Sequence, residues 1–180
     1  MTDAKAVERY NRVAIILHWL IAIGVLVQIA FGWWMIEIPK NPVGVRAYWF
    51  NIHKSIGITL GLLIILRIVW RLTHGAPPLP AHMPAWQKMA AKASHLVMYV
   101  CMIVMPLTGY LGSSFTKYPI KYWGYTLPHW GWDAPAYKEI CSQVHYATVI
   151  VFMTLIVIHF AAAVKHMIAK DGVIRRMWGW

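Results

Sequence analysis

Residues 143–166 read QVHYATVIVFMTLIVIHFAAAVKH, and this stretch decides the fold. It contains no acidic residue and is longer than the roughly 20 residues that an α-helix needs to cross a bilayer. Two of its histidines, His145 and His159, are separated by about 21 Å and nearly four turns of a helix. The stretch therefore predicts a transmembrane helix that presents two histidines on broadly the same side at two depths.

Three further runs share this apolar character, and the four predicted helices cover approximately residues 13–36, 51–72, 92–113 and 143–166. Only 13% of the 180 residues are charged, whereas 59% are hydrophobic. A soluble domain of this size needs a polar shell, and this chain lacks the residues to build one. We therefore predict a single all-α transmembrane domain, a four-helix bundle surrounded by lipid.

The connections between the predicted helices differ in character. The loop at 73–91 is rich in proline and is predicted to be mostly non-helical. The loop at 114–142 is the longest and most aromatic, which is typical of a membrane–water interface. Pro106 lies inside the third run, where it is expected to kink the helix rather than end it. The first run is too long for a cleavable signal peptide and is expected to remain as a span.

The net charge of +11 is concentrated beside the apolar runs, which indicates membrane anchoring, and we expect no nucleic-acid partner. Eleven basic residues belong to the N-terminus, the second loop, the C-terminus and the adjoining helix ends: Lys5, Arg9, Arg12, Arg67, Arg71, Lys88, Lys92, Lys165, Lys170, Arg175 and Arg176. Six belong to the first and third loops: Lys40, Arg46, Lys54, Lys117, Lys121 and Lys138. Because basic residues favour the cytoplasmic side, both termini are predicted to be cytoplasmic.

Histidines inside the predicted spans are the candidate chemical groups, because an ionisable side chain at membrane depth needs a partner. His18 and His159 are predicted to lie at similar depth near the cytoplasmic face. His53 and His145 are predicted to lie near the opposite face. A haem needs one imidazole on each side of its iron, so these two pairs could hold two haems stacked across the membrane.

Other interpretations of these histidines remain open at this point. A membrane histidine often only hydrogen-bonds a neighbouring helix, and the chain would then be a haem-free transporter or structural membrane protein. Zinc is a poorer fit, because no Cys, Asp or Glu supplements the four histidines. Cys101 and Cys141 are expected to be packing residues. The sequence contains no catalytic triad, phosphate loop or dinucleotide fingerprint, so any redox chemistry would come from a cofactor.

Motifs along nearly the whole chain resemble the bacterial cytochrome b561 family. They are Arg9-Tyr10 with Leu17-His18-Trp19-Leu20, Asn51-Ile52-His53-Lys54-Ser55-Ile56-Gly57, Arg67-Ile68-Val69-Trp70-Arg71-Leu72, Ser94-His95-Leu96-Val97-Met98-Tyr99, Pro106-Leu107-Thr108-Gly109-Tyr110, and the fourth helix from His145 through His159 to His166. The resemblance implies a bundle in the bacterial inner membrane with two b haems. It assigns His18 and His159 to the cytoplasmic haem, and His53 and His145 to the periplasmic one.

The resemblance also implies electron transfer between the periplasmic side and the quinone pool. Stand-alone members of this length look like superoxide oxidases, so the expected reaction is oxidation of superoxide with reduction of ubiquinone. Members that belong to larger complexes are quinone-reactive anchors of hydrogenases and formate dehydrogenases, and such a haem anchor is the alternative. The expected partners are membrane lipid, a quinone, and superoxide or another periplasmic donor.

Several basic side chains near the helix ends are candidates for contacts with the cofactors. Arg67 and Arg71 lie four residues apart on one face of the second helix. They could pair with haem propionates, which suit a guanidinium fork, or only anchor the helix. Lys54, beside His53, could do the same at the other end. His95 has no partner at matching depth and could contact a propionate, line a quinone pocket or be structural.

His166, with Lys92 or His95, is the candidate quinone site, because a quinone needs a hydrogen-bond donor and takes up protons on reduction. Three lysines of the third loop either belong to a solvated loop or steer an anionic donor such as superoxide: Lys117, Lys121 and Lys138. Two glycine pairs are predicted to allow close helix packing, to leave room for a porphyrin, or both: Gly57 with Gly61, and Gly109 with Gly112.

Overall fold

Four long helices dominate the computed structural model, which describes residues 9–42, 44–81 and 83–178. They are α1 (Arg12–Ile36), α2 (Val45–His74), α3 (Ala85–Ser114) and α4 (Pro135–Ala169). Each is long and apolar enough to cross a membrane. The predicted all-α transmembrane bundle is thereby confirmed. Lys5, counted for the orientation, lies outside the described residues.

Three helices begin earlier than the apolar runs that predicted them, and the earliest turns of each are more polar. α2 begins at Val45, α3 at Ala85 and α4 at Pro135. Extending an existing helix is much easier than nucleating one, so helical structure continues into these flanking residues. Pro135 occupies the beginning of α4, where its missing N–H breaks no helical bond. Pro106 does not end α3, as predicted, and the kink expected at this residue stays a prediction.

A small β-hairpin occupies part of the connection between α3 and α4, where the sequence predicted only a loop. Strands β1 (Ile120–Tyr122) and β2 (Tyr125–Leu127) pair antiparallel, with Tyr122 opposite Tyr125. The two turn residues, Trp123 and Gly124, have φ angles of 48° and 95°. Positive φ at both positions is what a type I′ hairpin turn requires. Strands of three residues are too short to show a two-residue period in sequence, so the hairpin was missed.

Glycines bring the helices close together. A Cβ atom added to Gly61 of α2 would lie 3.2 Å from the Pro106 ring of α3, and one added to Gly112 of α3 would lie 3.2 Å from Cβ of Cys141. A Cβ added to Gly24 of α1 would lie 2.6 Å from a methyl group of Leu60. These approaches confirm the close packing that small residues were predicted to allow.

The two ends of the bundle are closed by different structures. At one end, here called the terminal side, the segment before α1 meets the end of α2 and a short 3₁₀ turn (Ile174–Arg176). The buried Arg176 side chain donates to the carbonyl of Pro77 at 2.6 Å and lies over the ring of Tyr10. At the other end, called the hairpin side, β1 packs against α2. Ser55, 2% exposed, accepts a hydrogen bond from the amide of Trp123 at 3.0 Å.

Candidate functional site

Two histidines face each other toward the terminal side of the bundle. The rings of His18 on α1 and His159 on α4 have centroids 6.3 Å apart and planes inclined by 68°. A histidine nitrogen lies about 2 Å from the metal that it binds, so two rings on opposite sides of one metal have centroids roughly 6 Å apart. The observed spacing therefore suits a pair of axial ligands.

His95 of α3 lies beside this pair, although the sequence left it without a partner. Its ring centroid is 5.6 Å from that of His159, at an interplanar angle of 61°. His159 thus contacts one histidine from α1 and another from α3. Within residues 9–42, 44–81 and 83–178, no group of three or more His, Cys, Asp or Glu side chains is arranged to hold a metal ion.

His145 of α4 has a defined tautomer. Its Nδ1 lies 3.0 Å from the carbonyl oxygen of Met105 and 3.1 Å from the hydroxyl of Thr108. A carbonyl oxygen can only accept, so Nδ1 carries the proton and Nε2 keeps its lone pair. Histidines that bind metals are held in this way, with one nitrogen donating to an acceptor and the other free for the metal. His145 is therefore prepared to act as a ligand.

His53 of α2 lies toward the hairpin side, two residues before Ser55, whose hydroxyl bonds to the hairpin. A glycine lies beside each of the rings of His53 and His145. A Cβ atom added to Gly32 would lie 3.4 Å from Cε1 of His53, and one added to Gly109 would lie 3.6 Å from Cε1 of His145. The ring of Phe31 packs edge-on against His53 at 5.8 Å. A Cβ at either position would make ordinary van der Waals contact with the ring, so both glycines lie directly beside the imidazoles.

The basic residues proposed near the cofactors make contacts within the protein. Arg67 donates to the carbonyl of Ala14 at 2.9 Å, and Arg71 donates to the hydroxyl of Tyr10 at 2.9 Å. Both bonds tie α2 to the segment where α1 begins, and the pairing of either arginine with a propionate stays a prediction. Each guanidinium has five N–H groups, so donors remain for a further acceptor. Lys54 is half-buried directly after His53.

His166 near the end of α4 is held by an acidic residue that the sequence analysis missed. Its Nδ1 lies 2.5 Å from Oδ2 of Asp171, and both side chains are mostly shielded from solvent. The other carboxylate oxygen of Asp171 accepts a hydrogen bond from the amide of Val173. Asp171 lies five residues after His166, which is not the three- or four-residue spacing of neighbours on a helix. The contact forms because α4 ends between the two residues and the chain turns back. The pair places an oriented imidazole at the terminal side.

The third-loop lysines lie in three separate local settings on the hairpin side. Lys138 forms an ion pair with Glu139 at 3.6 Å, Lys121 donates to the hydroxyl of Thr126 at 2.8 Å, and Lys117 lies over the ring of Tyr118. Surface pairs of this kind contribute little to stability. The lysines give this end of the molecule a positive charge without forming one binding pocket.

The sequence model of the family described as prokaryotic cytochrome b561 matches residues 9–180. The chain belongs to the prokaryotic cytochrome b561 family. Cytochrome b561 homolog 2 of Escherichia coli (strain K12) is 32% identical over 99% of this chain and 96% of its own length. A protein of Yersinia pestis named "Probable superoxide oxidase CybB" is 26% identical over 94% of this chain and 96% of its own length. Cytochromes b561 bind haem b. This chain is a multi-pass inner-membrane protein and an oxidoreductase that transfers electrons.

Proposed function

We propose that this cytochrome b561 binds two b haems and passes electrons across the inner membrane to ubiquinone. His18 and His159 would hold one haem, and His53 and His145 the other. The observation that carries the proposal is the approach of the His18 ring from α1 to the His159 ring from α4. One pair has the ring spacing of two axial ligands. In the other, His145 has its Nδ1 engaged and its Nε2 available.

Each haem, when bound, supplies an iron that gains or loses one electron. The protein supplies the ligands, the separation between the two sites and the exclusion of water. Arg67 and Arg71 would receive propionates on the terminal side with the N–H groups that their internal bonds leave free. Lys54 would do the same on the hairpin side. With both termini cytoplasmic, the hairpin side faces the periplasm.

Superoxide is the proposed electron donor. Two superoxide ions release one electron each and become O₂, while one ubiquinone takes up both electrons and two protons. One support is the name of the Yersinia pestis relative, "Probable superoxide oxidase CybB". The other is the group of lysines on the hairpin side, because their positive charge attracts an anion. The expected rate falls as salt increases, because a Debye length shrinks from about 30 Å at 0.01 M to about 10 Å at 0.1 M. A rate independent of salt would remove the steering role.

Ubiquinone reduction is proposed to take place on the terminal side. His166 in its protonated form, with Nδ1 bonded to Asp171, would donate Nε2–H as a hydrogen bond and a proton to the quinone and then be reprotonated from solvent, with Lys92 or His95 as the second contact. We expect His166→Ala to lower the rate of quinone reduction by about 10²-fold, in keeping with the loss of one general acid. His74→Ala, which removes an exposed histidine bonded to Thr73, is the matched control. Unchanged quinone kinetics in His166→Ala would exclude this site.

The haem sites are tested by quantifying haem in the purified chain and in four single variants. The natural protein should hold two haems and show a b-type spectrum. His18→Ala, His53→Ala, His145→Ala and His159→Ala should each lose one haem, because each removes one of the two histidines that would hold it. A colourless protein, or full retention of both haems in any of these variants, would refute the assignment.

The donor is tested by adding superoxide and ubiquinone to the purified chain without partners. Reduction of quinone at a rate dependent on both reactants supports the superoxide oxidase. The alternative is a haem anchor that connects a periplasmic hydrogenase or dehydrogenase to the quinone pool. Such an anchor would contain both haems yet reduce no quinone with superoxide.

A further inference from the structure

Gln28 is a buried amide in the otherwise apolar middle of α1. Only 8% of its surface is exposed. Its Nε2 donates to the backbone carbonyl of His53 at 2.8 Å. A Cβ atom added to Gly57 would lie 3.4 Å from the same Nε2, so this glycine lies directly against the amide. An amide at membrane depth is costly unless its polar atoms are used, which makes its position informative.

Within the described parts of the chain, two buried side-chain polar atoms have no hydrogen-bond partner, and both belong to this contact. They are Oε1 of Gln28 and Nδ1 of His53. Gln28 meets the backbone of His53, while Gly32, four residues later on the same face of α1, meets its ring. One face of α1 therefore lies against both the backbone and the ring of His53.

The two unpaired atoms are chemically complementary. An amide oxygen only accepts, whereas Nδ1 of a histidine donates when Nε2 binds a metal. A buried polar group without a partner costs about 1–3 kcal/mol, so a pairing between them is favoured. His145 already has such an acceptor in the carbonyl of Met105. Nδ1 of His53 has no such acceptor among the described residues, and Gln28 offers the oxygen that it lacks.

We propose that Gln28 is a positioning residue for the haem on the hairpin side: its amide oxygen accepts a hydrogen bond from Nδ1–H of His53 when Nε2 of that histidine binds iron. This inference rests on the proposed function, since it requires His53 to be a ligand. The bond selects the tautomer and the ring orientation that ligation needs. It also makes the imidazole a stronger electron donor, which favours the ferric state.

The test compares two substitutions of Gln28 in the purified full-length protein. Gln28→Met keeps the length of the side chain and removes both polar atoms. Gln28→Glu keeps an acceptor oxygen but loses the donor to the carbonyl of His53. Haem content and a spectroscopic redox titration are measured for both, and the haem missing from His53→Ala identifies the titration step concerned. Thr59→Val is the control, because Thr59 bonds to Ser55 and Tyr122 and not to the ring of His53.

We expect Gln28→Met to raise the potential of that haem and to weaken its binding by roughly 10–100-fold, the usual loss for such a partner. A tenfold change in the relative affinity for the two oxidation states corresponds to about 59 mV for one electron. Gln28→Glu should keep the haem bound and should not raise its potential, and Thr59→Val should change neither quantity.

Three results would overturn the role of Gln28. The first is that Gln28→Met changes neither the haem content nor the haem potential. The second and third are that the potential rises equally in Gln28→Glu or in Thr59→Val. The second would show that the bond to the His53 carbonyl matters, and the third that any loosening of α2 has this effect. A natural protein without haem would instead refute the proposed function itself, so the two failures are distinguishable.

Discussion

Replacing Ser55 with alanine should release the β-hairpin from α2. The Ser55 hydroxyl accepts from the amide of Trp123 at 3.0 Å, and its single hydrogen is shared between the carbonyls of Asn51 at 2.9 Å and Lys121 at 3.3 Å. Ser55→Ala removes this bridge and leaves no large cavity, because only one oxygen atom is lost. The carbonyl of Asn51 belongs to the helix and keeps its helical partner. The hairpin loses its polar contacts with Ser55 and keeps those of Tyr122 and Trp123 with Thr59.

The size of the effect follows from the groups left behind. The bond from the Trp123 amide is part-buried, and a buried amide without an acceptor costs about 1–3 kcal/mol. Trp123 is already in the left-handed region with φ of 48°, a conformation that costs a residue other than glycine about 1–2 kcal/mol. We therefore expect local opening of the hairpin to become easier by about 2 kcal/mol, which corresponds to roughly thirty-fold faster amide exchange.

Hydrogen–deuterium exchange over residues 118–128 measures this opening. Ser142→Ala is the matched control, since that exposed hydroxyl only donates to Lys138 within α4. Exchange should accelerate in the hairpin of Ser55→Ala and stay unchanged in α4. An unchanged hairpin, or equal acceleration in the control, would show that the bridge does not hold the hairpin.

Two further substitutions test the helix packing and the terminal side. Gly61→Ala should lower stability in detergent by about 1–3 kcal/mol, because the neighbouring Pro106 ring is rigid and α2 and α3 must separate; an unchanged Tm would contradict this. Arg176→Ala should lose about 2–3 kcal/mol with the charged hydrogen bond to Pro77, measured by thermal unfolding. Arg176→Lys, which keeps the charge, should lose less, and equal losses in both variants would mean that the guanidinium geometry is what matters.

Sequence reasoning found the elements whose signals are local. Each helix can be predicted from its own run of apolar residues, and the central part of every predicted span lies within an observed helix. His18 and His159 were matched by depth, which needs only helix direction and rise, and the structure brings their rings together. The predicted first residues of the helices were less accurate, because a helix can extend into polar residues that a hydropathy pattern does not mark.

Sequence reasoning missed three residues whose roles depend on tertiary contacts: Gln28, Asp171 and Thr108. Gln28 meets His53 from another helix, and Thr108 meets His145 likewise. A lone amide within an apolar run was the one available signal, since polar groups at membrane depth are costly. Asp171 belongs to the segment after α4, and only the fold returns it to His166.

The sequence by itself determined that four helices cross the membrane, because lipid imposes long apolar runs on each span separately. Only the tertiary structure decided which side chains meet: His95 against His159, the hairpin against Ser55, and Gln28 against the carbonyl of His53. The physical reason is that hydropathy is a property of one segment, whereas a contact depends on how two helices are rotated and offset against each other. That relation is set by glycine clearances and hydrogen bonds between residues far apart in the chain.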